Sequence, residues 1–66
     1  MEKEIKLKTI DESIRLLRLR YDGFNELYLK AQDNLTAREY LHKQEGILAA
    51  IDSLNGLRTS VVSDLF

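Results

Sequence analysis

"AQDNLTAREY", residues 31–40, lies between two long stretches of helical periodicity, and its reading decides the fold. Thr36 stands three residues before Glu39, the spacing of a capping box. In that device the hydroxyl accepts from an amide of the first helical turn, while the carboxylate reaches back to the cap amide. Leu35 precedes the predicted cap and Tyr40 is the fourth helical residue, positions that can close a hydrophobic staple. The segment therefore reads as a helix start at mid-chain, preceded by a linker of about "DNLT", and so short a linker turns consecutive helices antiparallel.

Upstream, Leu7, Ile10, Ile14, Leu17, Tyr21, Phe24, Tyr28, Ala31 and Leu35 follow an unbroken alternation of three- and four-residue steps. That is the a/d stripe of a helix; a strand would alternate every second residue. Glu4 with Lys8, Asp11 with Arg15, and Glu26 with Lys30 are i,i+4 pairs with the acid first, the better orientation. Gly23 costs about 1 kcal/mol relative to alanine without interrupting the stripe. Thr9 and Glu12 repeat the capping-box spacing and predict where this helix begins. Downstream, Ala37, Tyr40, Ile47, Ile51, Leu54, Val61 and Leu65 continue the three/four pattern, with polar Gln44 and Arg58 on two of its steps. Asn55-Gly56 is a stop signal, yet Val61 and Leu65 stay in phase, which predicts a helix running on to residue 62. The expected fold is all-α: an antiparallel two-helix hairpin with helices at 10–33 and 37–62 and a frayed segment at 1–8.

The chain has 66 residues, ten basic and eleven acidic side chains, no cysteine and one histidine. One small domain of this size buries only roughly 60% of its potential surface and usually leans on disulfides, a metal or association. Disulfides are excluded, and His42 has no cluster of ligand types around it, so no cofactor or metal is expected. Burial against a partner chain, or self-association, remains. Interspersed charge argues against a nucleic-acid arm, and Asp11, Asp22 and Glu26 neutralise the basic stretch "RLLRLR" at 15–20. No apolar run approaches the ~20 residues that cross a bilayer, and "MEKEIKLK" lacks the apolar centre of a signal peptide; the expectation is a cytoplasmic protein. Acid pairs such as Asp11-Glu12 read as solvated charge, because exposed helices supply no pocket to perturb them, and no enzyme is expected.

The hairpin seam needs fewer apolar side chains than the sequence provides. Leu16 and Leu27 flank the first stripe, Leu19 and Leu29 lie farther out, Leu41 and Leu48 share a flank of the second helix, and Leu57 lies on the opposite one. Tyr21, Phe24 and Tyr28 combine apolar rings with hydroxyls on two of the three, a character that suits both core and interface. The residues assigned to a partner are Leu16, Leu19, Tyr21, Phe24, Leu27, Tyr28, Tyr40, Ile47, Ile51, Leu54, Leu57 and Val61.

The stretch "LTAREYLHKQEGILAAIDSL", residues 35–54, resembles the second-helix start of the small co-chaperones of type III secretion needle subunits. Thr36, Ala37, Tyr40, Gln44, Ala49, Ala50, Ile51 and Leu54 occupy comparable places, and the chain length and two-helix layout agree. The resemblance implies a cytoplasmic subunit that pairs with a larger helical-repeat co-chaperone and so helps keep the needle subunit monomeric before export. It marks Tyr40 and the Ala50, Ile51, Leu54 ladder as packing or partner-contact positions. The competing expectation is a homodimeric four-helix-bundle regulator of plasmid or phage origin that binds RNA or a host protein.

Overall fold

The computed structural model describes residues 2–63, and it is an antiparallel two-helix hairpin. Helix α1 spans Glu2–Lys30 and α2 spans Asn34–Val62. Each has 29 residues, or about 43 Å at 1.5 Å per residue, and the molecule measures 49 × 16 × 9 Å.

The seam is the stripe read from the sequence. Ile10, Ile14, Ile51 and Val61 are buried, with Leu7, Leu17, Ile47, Leu54 and Leu57 packed against them. Tyr21, Phe24, Tyr28 and Tyr40 are half-buried toward the turn, where the Phe24 and Tyr40 rings meet at 6.1 Å between centroids. Leu65 lies outside the described residues.

The helix starts differ from the sequence expectation. α1 begins at Glu2, so residues 2–8 are helical rather than frayed and Thr9 is no cap. Its hydroxyl donates instead to the Ile5 carbonyl at 2.9 Å, one turn back. Two forces favour the longer helix: Glu2 and Glu4 complement the positive end of the dipole, and Leu7 adds a further turn of seam beside the Ile10 cluster.

At the turn, Asp33 takes the cap from Thr36. Asp33 has extended backbone (φ −129°, ψ 155°), and its carboxylate accepts from the Thr36 amide at 2.7 Å and from the Thr36 hydroxyl at 2.9 Å. A carboxylate has two acceptor oxygens and a charge that the helix N-terminus attracts, so it outcompetes a hydroxyl for the position. Starting α2 three residues earlier moves Leu35 out of staple position. It is 71% exposed, and Tyr40 packs on Phe24 instead. Leu35→Ala is therefore expected to leave the melting temperature unchanged, whereas Tyr40→Ala lowers it; circular dichroism melts of the two variants check this.

Cap bonding also sets an acid limit. The backbone bond from Thr36, then its hydroxyl, hold the Asp33 carboxyl below its ordinary value. Glu12 is likewise held down, chiefly by the hydrogen bond and charge of Arg15, 2.6 Å away. A carboxyl with a depressed folded-state pKa stabilises the fold fully above its unfolded pKa, and that contribution disappears as pH falls through the folded value. Stability is expected to be flat from neutral pH down to the ordinary carboxylate range and to decline below it. Asp33→Asn, which keeps an acceptor without the charge, should make that decline shallower in melts recorded against pH.

Candidate functional site

Two polar contacts fix how the helices face each other. Gln44 is 4% exposed, and its amide nitrogen donates to the Tyr21 carbonyl at 3.3 Å and to Asn25 Oδ1 at 3.4 Å. Near the open end, Arg58 Nε donates to Asp11 Oδ1 at 2.7 Å, and that bond raises the proton affinity of the guanidinium. In the sequence, Gln44 and Arg58 are the polar steps of an apolar ladder. Both are cross-helix bonds that hold one register, and among the described residues no buried side-chain polar atom lacks a partner.

The residues assigned to a partner from the sequence divide into two groups. Ile51 and Val61 are buried in the intrachain seam, and Tyr21, Phe24, Tyr28, Tyr40, Ile47, Leu54 and Leu57 are half-buried along it. Leu16, Leu19 and Leu27 are exposed. That second group lies on the surface of the hairpin, outside the seam. Sequence periodicity could not draw this division, because seam and flank are both apolar. Ile5, Leu29, Leu35, Leu41, Leu48 and Val62 are also exposed; of these, Ile5, Leu35 and Val62 went unremarked as surplus surface in the sequence. Ala50, Ile51 and Leu54, the ladder marked by the resemblance, lie half-buried or buried on α2.

Steps of seven sort the flanks onto the two broad sides of the hairpin. One side carries Lys6, Ser13, Arg20 and Leu27 of α1 beside Lys43, Ala50 and Leu57 of α2. Two contacts tie these rows together: Ile5, Lys6, Thr9, Ile10, Leu57 and Val61 line one cleft of about 440 Å³, and Lys43 Nζ sits 5.4 Å from the Phe24 ring centre. The opposite side pairs charged residues of α1, among them Asp11, Arg15, Arg18 and Asp22, with Leu41, Leu48 and Asn55 of α2. A recess of about 540 Å³ there is lined by Ile14, Leu19 and the charged groups around the Asp11–Arg58 bond.

His42 is on the outer surface, with Nδ1 3.7 Å from Glu45. Among the described residues no helix is long and apolar enough to cross a membrane. Set against known proteins, the chain matches no family model, no curated protein and no solved structure.

Proposed function

We propose that the hairpin is a protein-binding module whose core is completed by helices of another chain. The observation that carries this reading is its surplus of surface. The accessible area is 5274 Å², against about 4300 Å² for a compact monomer of 7.7 kDa. The radius of gyration is 15.1 Å, against about 11 Å for a compact chain of this length. The excess area is close to the ~800 Å² that each partner buries in a standard interface. Nine large apolar side chains are exposed among the described residues, against four that are buried.

The likeness of residues 35–54 to the needle co-chaperones gives the partner a concrete form: a larger helical-repeat chaperone, with the needle subunit held through it. The physics suits that task, because a subunit built to polymerise must have its amphipathic helix covered until export, and a short hairpin can brace the repeat that covers it. Co-expression with helical-repeat chaperones from secretion loci tests the reading. A one-to-one complex that co-purifies and melts well above the lone chain is the expected result. A chain that stays alone beside each of them, and is fully stable by itself, contradicts it. The four-helix-bundle alternative has no separate observation in its favour.

A further inference from the structure

The side of the hairpin that carries Leu57 is distinguished by its charge. Its seven-residue rows through Lys6 and Leu16 on α1 and through Lys43 and Ser53 on α2 hold four cations, Lys6, Arg20, Lys30 and Lys43, against two carboxylates, Glu2 and Glu39, at the row ends. The chain as a whole has eleven acids to ten bases, so this side is basic on an acidic molecule. Among the described residues no carboxylate forms an ion pair with Lys6, Arg20 or Lys43. Between these cations the surface is apolar or small. Ile5 and Leu57 wall the open-end cleft, Leu16 and Leu27 rise along α1, and the half-buried Ser13 and Ala50 leave a low saddle between the helices.

We propose that this groove takes an amphipathic helix of a partner protein whose apolar edge is flanked by carboxylates. The proposal rests on the module reading above and adds the face and the chemistry of what it binds. A helix laid along the saddle can set its leucine-type edge against Leu16, Leu27 and Leu57 while acids on both flanks meet Lys6, Arg20 and Lys43. A second copy of this chain is a poor occupant, since two such sides face to face bring together eight cations and only four carboxylates. The opposite side lacks this bias, because Asp11 and Arg58 already satisfy each other there.

The test uses the full chain and two synthetic helical peptides. Both carry leucine at the a and d positions; one has glutamate at e and g, the other lysine. Fluorescence anisotropy is expected to show saturable binding of the glutamate peptide, weakened by salt, and binding of the lysine peptide at least about ten-fold weaker. The double variant Arg20→Glu/Lys43→Glu should reverse that preference. Ala50→Trp should fill the saddle and abolish binding, while Leu48→Arg on the other side leaves it intact, with circular dichroism confirming that each variant is folded. Equal binding of the two peptides, no binding of either, or loss with Leu48→Arg but not with Ala50→Trp overturns the proposal. If those results coexist with a co-purifying helical partner, only the face and its chemistry fall. If the chain also stays alone beside those partners and is fully stable by itself, the module reading falls with them.

Discussion

Ile51→Ala is expected to destabilise the lone chain by about 2–4 kcal/mol, while Leu48→Ala, three residues away on the same helix, should change it by less than about 0.5 kcal/mol. Ile51 is 7% exposed and packs among Ile10, Ile14 and Val61; Leu48 is 46% exposed on a flank. Removing the isoleucine takes out buried methyl groups in a core that has no reserve, because only four apolar side chains are buried among the described residues. Single domains hold roughly 0.05–0.15 kcal/mol per residue, so a chain this short has on the order of 3–10 kcal/mol in all. The alanine variant should lose much of its helicity at room temperature. Denaturant titrations followed by circular dichroism measure both variants. Equal losses would mean that the flank is as buried as the seam, as it would be in a closed bundle.

A gain of similar size is expected from Gly23→Ala/Gly46→Ala/Gly56→Ala. All three glycines are inside helices and exposed, and an added Cβ at each meets nothing within 4 Å. Each replacement removes backbone freedom from the unfolded chain and should add about 0.8–1 kcal/mol, so the triple variant gains roughly 2–3 kcal/mol. In a domain of this size each kcal/mol moves the melting temperature by about 4–8 °C, which makes the shift easy to read in a thermal melt. A fall in melting temperature would mean that these positions are crowded in the state the chain adopts in solution.

How much of this was legible in the sequence follows from what periodicity encodes. The three/four stripe from Leu7 to Ala31, with Ala37 to Val61 behind it, gave both helices and their mutual seam, because apolar spacing reports which side of a helix leaves water. The helix ends were less legible. Thr9 and Thr36 have capping-box spacing, but a cap is a competition, and Asp33 and the extended N-terminal turns won it through charge and through packing beside Ile10. The hinge stretch nevertheless lies where the chain reverses: Ala31, Gln32 and Asp33 make the connection.

The candidate site was legible only in part. Leu16, Leu19 and Leu27 are exposed, whereas Ile51 and Val61, assigned to the same role, are buried along the seam. Apolar character alone does not say which of two neighbouring surfaces a side chain joins. Gln44 and Arg58 show the converse. A polar residue on an apolar ladder looks like a defect until the facing helix supplies Tyr21, Asn25 and Asp11 as partners.

The central claim, that the hairpin's open flanks await another protein, is tested most directly by sedimentation equilibrium of the purified chain alone over a wide concentration range. The expected result is the 7.7 kDa monomer, or a weak association that dissociates on dilution. A tight symmetric dimer that survives dilution to nanomolar concentration would contradict it, because the exposed leucines would then already be covered by a second copy.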